Sequence, residues 1–246
     1  MSNPRNPHPV TLISGAARGI GRACAEQLRR DGHDIIGLGR QCPADAFPGE
    51  FIEVDFTDRA AVSRVCEQMP RKEEINGVVN NVGDPGPELL EEIDFNTVDR
   101  VMEVNFYSAI QLVRAALPGM KAQGYGRIVN VSSELALGLS TRTAYGAAKA
   151  ALISAARTWS LELAGYGISA NCVAPGPVDT DLFNRNNPPG SDIRQMKEDK
   201  IPMGRIATVE DIARAVAFFM APENGYVTGQ TLFVDGGSSL GAKGLL

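Results

Sequence analysis

The sequence predicts one α/β domain in which helices cover both faces of a doubly wound parallel sheet. Short apolar runs alternate with segments of helical periodicity along the chain, and this alternation is typical of repeated strand–helix–strand units. The 246 residues contain no internal repeat, linker or low-complexity block that would divide them into separate domains. Right-handed crossovers between such units give the doubly wound, Rossmann-like arrangement.

Seven short apolar runs are predicted to form the strands, at residues 10–14, 34–39, 51–55, 77–80, 127–132, 168–174 and 230–234. Helical periodicity predicts helices between them, at residues 19–30, 58–69, 96–121, 143–165 and 209–220. The segment 96–121 fits either one long helix or two, with Pro118 near its end.

Two segments depart from this simple alternation. Residues 41–50 contain Pro43 and Pro48 and show no helical period, so the helix after the second strand is predicted to be shortened or absent. Residues 179–205 are polar and irregular, which predicts a long loop that forms a lid or is disordered.

Composition excludes several classes of protein. Hydrophobic residues make up 43% of the chain and charged residues 22%, which is ordinary for a globular protein. A net charge of −5 without any run of basic residues argues against a nucleic-acid partner. No stretch approaches the ~20 apolar residues that a membrane-spanning helix needs. The four cysteines are scattered without a C-x-x-C pair, which predicts reduced thiols and no metal site.

The first nine residues are rich in proline and contain no apolar core. They predict a disordered tail without a signal peptide, ahead of a single domain that spans residues 10–246. Together with the absence of a long apolar stretch, this pattern predicts a cytoplasmic protein.

The pair Tyr145 and Lys149 is the first candidate for chemistry. The two residues are four apart in an alanine-rich helical segment, so the phenol and the ammonium share one face of the helix. A free tyrosine has a pKa of ~10, and a neighbouring cation lowers that pKa by favouring the phenolate. The pair is therefore a candidate site of proton transfer, although the same spacing also arises by chance.

A glycine-rich loop joins the first strand to the first helix and reads Ser14-Gly15-Ala16-Ala17-Arg18-Gly19-Ile20-Gly21. Glycines allow a tight turn and let a pyrophosphate approach the backbone, while the helix N-terminus supplies free N–H groups. A plain turn would have the same composition. The position between the first strand and the first helix favours a dinucleotide phosphate.

Several motifs in this order resemble the short-chain dehydrogenase/reductase family. They are the G-x-x-x-G-x-G loop, Asn80-Asn81-Val82-Gly83 after the fourth strand, Tyr145-x-x-x-Lys149, and Pro175-Gly176-Pro177 after the sixth strand. The resemblance extends over residues 10–237 and is closest to the bacterial 3-oxoacyl-acyl-carrier-protein reductase-like members. It implies an NAD(P)-dependent oxidoreductase with a seven-stranded parallel sheet, acting on a carbonyl or alcohol substrate as a homotetramer or homodimer.

The resemblance also implies a catalytic set. Tyr145 is the general acid or base, Lys149 lowers its pKa and holds the nicotinamide ribose, and Asn105 anchors a water in a proton relay. A serine after the fifth strand binds the substrate oxygen. Ser132 lies 13 residues before Tyr145, the usual family spacing, and Ser133 lies 12 before it. Because successive strand residues point to opposite sides, we favour Ser133, the second serine of the motif.

The predicted cofactor is NADP(H). NAD selectivity usually needs a carboxylate at the end of the second strand, where this chain has Gly39 followed by Arg40. Arg18 and Arg40 would bind a 2′-phosphate, or else both are solvated surface arginines. The resemblance implies cofactor contacts at Gly15, Ala17, Arg18, Gly19, Ile20, Gly21, Arg40, Asp55, Phe56, Asn81, Gly83, Tyr145, Lys149, Pro175, Gly176, Val178 and Thr180.

Two other functions remain open at this stage. One is an NAD-linked dehydrogenase of a small diol or hydroxy compound, and the other is a dinucleotide-binding regulatory protein without catalysis. The substrate is not identified. Five polar residues of the predicted lid either meet a polar or anionic compound or belong to a solvated loop: Asn184, Arg185, Asn186, Arg194 and Lys197.

Overall fold

The computed structural model describes residues 9–241 and contains the predicted parallel sheet. Its seven strands follow the order β3-β2-β1-β4-β5-β6-β7, and every neighbouring pair is parallel. The strands are β1 (Val10–Ser14), β2 (Asp34–Gly39), β3 (Glu50–Glu53), β4 (Ile75–Asn80), β5 (Gly126–Val131), β6 (Ile168–Pro175) and β7 (Thr231–Val234). The predicted fold class is confirmed.

The helices are α1 (Gly19–Arg30), α2 (Arg59–Gln68), α3 (Phe95–Met102), α4 (Ser108–Gln123), α5 (Thr143–Leu163), α6 (Asp181–Asn186), α7 (Asp192–Lys200) and α8 (Val209–Met220). A π-helical turn, Glu103–Tyr107, joins α3 to α4, so the segment 96–121 forms two helices. The third strand ends at Glu53, two residues earlier than predicted, which leaves Asp55 in the following turn.

Helices cover both faces of the sheet because successive strand residues point to opposite sides. Leu12 packs with residues of α2 and α4 in one core, and Ile13 packs with residues of α1 and α8 in the other. The four strands β1, β4, β5 and β6 are buried along their whole length. The doubly wound arrangement therefore leaves only the two ends of the strands open for a site.

The crossover after β2 contains no helix, as the two prolines predict. Phe47 occupies the space that a helix would cover, because a Cβ added at Gly37 would lie 2.4 Å from the Phe47 ring. Arg22 of α1 fixes this loop by donating to the carbonyl oxygen of Ala46 at 2.7 Å and to the carboxylate of Asp45 at 3.1 Å.

The prediction of a long loop at residues 179–205 is wrong, because the segment contains α6 and α7. Thr180 and Ser191 cap the two helices by accepting N–H hydrogen bonds, and Arg194 forms ion pairs with Asp179 and Glu198. Caps and ion pairs stabilise helices without any apolar face. Hydrophobic periodicity therefore gave no signal for them.

Four further expectations bear on the fold. All four cysteines are free thiols, and no cluster of metal-ligating side chains occurs within residues 9–241. Across the same described part of the chain, no helix has the length and apolar character to cross a membrane. The predicted disordered tail, apart from Pro9, lies outside the described residues.

Candidate active site

The predicted site residues gather at one edge of the sheet. In a parallel sheet the carboxyl ends of all strands meet at the same edge, and the loops there form the binding crevice. The glycine loop follows β1, the turn at Asn81 follows β4, and Ser132 and Ser133 follow β5. Gly176 follows β6, where a Cβ would lie 2.8 Å from the Cα of Asp235.

The glycine loop is held against the turn that follows β4. The Ser14 hydroxyl accepts hydrogen bonds from the N–H groups of Asn81 and Val82, at 3.0 and 3.1 Å. The Asn81 amide donates to the carbonyl oxygens of Ser14 and Gly15, at 3.0 and 3.2 Å. A Cβ at Gly21 would lie 2.2 Å from the Gly15 oxygen, so this close contact requires glycine.

The start of α1 fits an anionic ligand. Gly15 and Gly19 adopt the left-handed region, with φ of +66° and +56°. The first turn contains no acidic residue, and the side chain of Arg18, the N-cap residue, makes no capping hydrogen bond. The N–H groups and the positive end of the helix dipole therefore remain available to a pyrophosphate.

The end of β2 fits a ribose that carries a 2′-phosphate better than a ribose with a free 2′-hydroxyl. Arg18 and Arg40 are exposed, and neither forms an ion pair with another residue in the range 9–241. A Cβ at Gly39 would lie 3.0 Å from the Phe51 ring and 3.6 Å from the Ala17 Cβ. An acidic side chain at this position would have to displace Phe51.

The predicted cofactor contacts at Asp55 and Phe56 divide between side chain and backbone. Hydrogen bonds from Thr57 lower the pKa of Asp55, and the charge of Arg40 acts in the same direction. The side chain of Phe56 is only 3% exposed and belongs to the core, so only its backbone is available to a ligand. Val178 is also buried, and Thr180 stands beside Gly19, with its methyl carbon 3.5 Å from an added Cβ.

Tyr145 and Lys149 lie one turn apart on α5. The Lys149 Nζ is 5.5 Å from the centre of the Tyr145 ring. Burial lowers the pKa of Lys149 to about 8. Burial also raises the pKa of Tyr145, while a hydrogen bond with Ser133 and the charge of Arg142 act in the opposite direction. The predicted lowering of the Tyr145 pKa is therefore wrong for this environment, because desolvation outweighs the favourable charges.

The two serines after β5 point in different directions, as strand alternation requires. The Ser132 hydroxyl donates to the carbonyl oxygen of Lys149 at 2.8 Å and so fixes α5 to the end of β5. The Ser133 hydroxyl accepts from the N–H of Leu135 at 3.1 Å and interacts with the phenol of Tyr145. The structure thus brings Ser133, and not Ser132, to Tyr145.

Asn105 lies in the π-helical turn and reaches the same place from the other side. Its amide donates to the carbonyl oxygens of Val101 and Asp84, at 2.8 and 3.0 Å. A Cβ added at Gly83 would lie 3.1 Å from the Asn105 Oδ1 and 3.5 Å from the Lys149 Nζ. Glycine at this position lets the loop after β4 pass close to both polar groups.

Two residues beside this constellation did not emerge from the sequence patterns. Arg142 precedes Tyr145 by three residues, and its charge acts on the phenol. Glu134 follows Ser133, and its carboxylate accepts a hydrogen bond from the Ser238 hydroxyl. The one available signal for Arg142 was its nearness in sequence to Tyr145, since it directly precedes α5. No sequence signal indicates the hydrogen bond between Glu134 and Ser238, because the two residues are more than a hundred positions apart.

A glycine loop at a helix start and a Ser–Tyr–Lys–Asn cluster at the same sheet edge define a dinucleotide-dependent oxidoreductase of the short-chain type. The family model described as Enoyl-(Acyl carrier protein) reductase matches residues 15–239. The chain belongs to the short-chain dehydrogenase/reductase family, so the predicted family, fold and enzyme class are confirmed.

Two relatives of this chain are named as reductases of this family. It is 34% identical over 238 residues to the 3-oxoacyl-acyl-carrier-protein reductase FabG of Escherichia coli, covering 93% of this chain and 96% of the relative. The same enzyme of Vibrio cholerae is 35% identical over 239 residues, again covering 93% and 96%.

A solved structure from Beutenbergia cavernae, assigned as an NAD(P) dependent gluconate 5-dehydrogenase with NADP bound at low occupancy, has a TM-score of 0.84. It is 31% identical and covers 94% of this chain and 96% of that chain.

Proposed function

We propose that the protein interconverts a carbonyl compound and a secondary alcohol, with NADP(H) as the cofactor and Tyr145 as the general acid or base. The observation that carries this proposal is the convergence of four side chains at one edge of the sheet. Ser133 interacts with the Tyr145 phenol, and Asn105 and Lys149 both border the space beside Gly83. No other part of residues 9–241 combines a proton donor, a hydroxyl and a buried ammonium next to an anion-binding loop.

The glycine loop and the start of α1 fit a dinucleotide, which would supply the hydride for the carbonyl carbon. In the reducing direction, Tyr145 donates its phenolic proton to the carbonyl oxygen, so that the carbonyl becomes an alcohol. The Ser133 hydroxyl donates a hydrogen bond to the same oxygen and stabilises the charge that develops there. The raised pKa of Tyr145 keeps the phenol protonated at neutral pH, which is the form that this step requires.

Lys149 acts after the proton has left the phenol. With a pKa of about 8, its ammonium exchanges protons with water near neutral pH and stabilises the phenolate by its charge. Asn105 is proposed to hold the water that carries the replacement proton, because its Oδ1 borders the same space as the Lys149 Nζ. In the oxidising direction the same groups act in reverse.

The preference for NADP(H) over NAD(H) is proposed from charge. Arg18 and Arg40 present two exposed guanidinium groups beside the glycine loop and the end of β2, and Gly39 offers no carboxylate to the ribose. A 2′-phosphate would form charge-assisted hydrogen bonds with one or both of them. The NADP bound to the Beutenbergia cavernae relative supports the same choice.

An assay of cofactor oxidation tests the proposal. Purified protein is incubated with NADPH, and in parallel with NADH, against a panel of ketones, 3-oxo esters and oxo acids, and the loss of reduced cofactor is followed by absorbance. We expect turnover of at least one compound, faster with NADPH. Binding of NADPH without turnover of any compound in either direction would favour the regulatory protein, and equal rates with both cofactors would favour the NAD-linked dehydrogenase.

We also propose that the protein forms a homotetramer or a homodimer. Large apolar side chains are well exposed on α5 and in the loop before β7, including Leu161 at 86% and Tyr226 at 103%. Exposed apolar surface of this kind favours association of subunits. Light scattering of the purified protein at micromolar concentration measures the state directly, and a monomer would contradict the proposal.

A further inference from the structure

Arg142 is the N-cap residue of α5, three residues before Tyr145. The N–H of Gly146 donates to the Arg142 carbonyl oxygen at 2.6 Å, so the helical hydrogen bonding already includes this residue. The loop after β4 connects Arg142 to the site, because its Pro85 contacts the guanidinium and its Gly83 lies beside Lys149. The charge of Arg142 also acts on the Tyr145 phenol. Arg142 therefore borders the place where a substrate carbonyl would meet Tyr145.

Within residues 9–241, one nitrogen of the Arg142 guanidinium has a protein acceptor. This nitrogen donates to the carbonyl oxygen of Pro85 at 3.2 Å. The Nε is buried without an acceptor in the described part of the chain, as are the Arg22 Nη1 and the Arg127 Nε. Among the ion pairs of residues 9–241, none includes Arg142, whereas the half-buried Arg22 and Arg194 are each paired with two carboxylates. A partly buried guanidinium without an acceptor is costly unless a ligand supplies one.

Asp84 and Glu88, two acidic residues of the loop after β4, already have other partners. Asp84 forms an ion pair with Arg100 of α3. Glu88 accepts a hydrogen bond from the N–H of Asp94 at 3.0 Å and so stabilises the start of the same helix. Neither carboxylate is free to turn to Arg142 without breaking a contact. A ligand can therefore supply an acceptor that these two carboxylates do not.

The backbone that carries Arg142 is held in a strained conformation. Thr141 has a φ of +66°, which is unfavourable for a β-branched residue. A hydrogen bond from the N–H of Glu88 to the Thr141 carbonyl oxygen, at 3.1 Å, fixes this turn to the loop after β4. Strain of this kind persists where the surrounding structure enforces it, often at ligand sites. It sets the direction in which Arg142 leaves the backbone.

We propose that Arg142 binds a carboxylate of the substrate, so that the substrate is an oxo acid or the matching hydroxy acid and not a neutral ketone. The inference rests on the proposed function, because it places the reacting carbonyl at Tyr145. A guanidinium offers two parallel N–H groups to a carboxylate and makes strong charge-assisted hydrogen bonds with it. Arg194 of α7 is less available for this role, because Asp179 and Glu198 already hold it.

Binding of matched ligand pairs tests this inference without requiring turnover. The protein, saturated with NADP⁺, is titrated by calorimetry with 2-oxo and 3-oxo acids of increasing chain length and with the methyl ester of each. We expect at least one acid to bind at least ~10-fold more tightly than its own ester, because only the acid offers a charged acceptor. Arg142→Gln should remove this preference, and Arg142→Lys should retain part of it.

Two controls separate charge recognition from loss of structure. Arg157→Gln removes the same charge from the exposed surface of α5 and should leave the acid-to-ester ratio unchanged. NADPH affinity of Arg142→Gln should equal that of the wild type, which shows an intact fold. Equal binding of acids and esters, no binding of any acid, or a preference that survives Arg142→Gln would each overturn the inference.

The proposed reduction fails independently of this inference. A protein that binds the acid but oxidises no NADPH retains the Arg142 site and contradicts the reaction. A protein that reduces neutral ketones without any preference for acids supports the proposed reaction and contradicts carboxylate binding by Arg142.

Discussion

The ammonium of Lys149 donates a 2.9 Å hydrogen bond to the carbonyl oxygen of Val131, the last residue of β5. This bond fixes the cation between the strand and α5. Burial there lowers the pKa of Lys149 to about 8 and raises the pKa of Tyr145. In this environment Lys149 releases its proton more easily than a free lysine, and Tyr145 keeps its own. The arrangement therefore suits Tyr145 as a proton donor to a carbonyl oxygen.

Tyr145→Phe should abolish turnover while leaving NADPH affinity nearly unchanged. The substitution removes only the transferable proton, and general acid catalysis contributes ~10²- to 10⁴-fold to the rate. Steady-state kinetics and a fluorescence titration with NADPH measure the two effects separately. A variant that keeps more than about a tenth of the wild-type rate would show that another group donates the proton.

Ser133→Ala should reduce kcat by ~10²-fold, with a smaller effect on KM. The Ser133 hydroxyl interacts with the Tyr145 phenol, and it would stabilise charge on the substrate oxygen only as that charge develops. Single-turnover measurement of hydride transfer isolates this step. Unchanged kcat would exclude Ser133 from the oxygen-binding role.

Ser132→Ala is the matched control for Ser133→Ala. The sequence alone predicts a nearly neutral substitution, but the Ser132 hydroxyl is buried and donates to the Lys149 carbonyl oxygen. Its loss should lower the free energy of unfolding by about 1 kcal/mol, the usual net value of one hydrogen bond. Urea denaturation measures this, and kcat should stay within a few-fold of the wild type. A larger loss of rate in this variant than in Ser133→Ala would assign the catalytic role to Ser132.

The sheet was predictable because its signals are local. Apolar runs of strand length indicate buried strands, and the prolines after β2 indicate that no helix forms there, because proline interrupts helical hydrogen bonding. The helices α6 and α7 were missed because Thr180, Ser191 and Arg194 stabilise them by caps and ion pairs, and such contacts leave no apolar period. A search for N-cap residues at these positions would have indicated both helices.

The site was predictable in its residues but not in its electrostatics. The spacing of Tyr145 and Lys149 indicates a shared helical face, and strand alternation separates Ser132 from Ser133. The direction of the Tyr145 pKa depends on how much solvent the fold removes from the phenol, which no local pattern reports. Arg142 has no carboxylate partner within residues 9–241 because the acids of the loop after β4 have other partners, and only the tertiary structure defines those.

NADPH should bind at least ~10-fold more tightly than NADH, and high salt should reduce the difference. Arg18 and Arg40 are exposed and carry no ion pair within the described range, so both are free to meet a 2′-phosphate. Arg40→Ala should weaken NADPH binding by ~10-fold and leave NADH binding almost unchanged, since only NADPH carries the phosphate. Fluorescence titrations of both cofactors measure the four affinities.

Arg157→Ala serves as the control for Arg40→Ala, because it removes an exposed charge from α5 and should not change the ratio of the two affinities. Equal affinity of the wild type for NADH and NADPH would contradict the proposed cofactor. A parallel loss of both affinities in Arg40→Ala would indicate that Arg40 supports the fold near β2 and does not read the phosphate.

The free energy of unfolding should decrease as the pH falls below 6.5, the pKa of an ordinary histidine, because His33 is buried. This side chain is only 4% exposed and shares a 2.8 Å hydrogen bond with the Thr11 hydroxyl through Nδ1. Burial lowers its pKa from 6.5 to about 4, while Asp31 acts weakly in the opposite direction. Between these two values the unfolded chain binds a proton and the folded protein does not. The stabilisation is therefore complete above 6.5 and decreases as the pH falls towards 4.

The linkage predicts a loss of about 2 kcal/mol in the free energy of unfolding between about pH 7 and about pH 5, measured by urea denaturation at one protein concentration. Asp211, with a pKa lowered to about 2, loses its contribution only at more acidic pH. Glu134, whose pKa burial raises, acts in the opposite direction and makes the observed loss smaller. His33→Gln removes the titrating group, so most of the slope should disappear even though the variant is less stable at neutral pH. A slope of equal size in this variant would assign the acid sensitivity to the carboxylates.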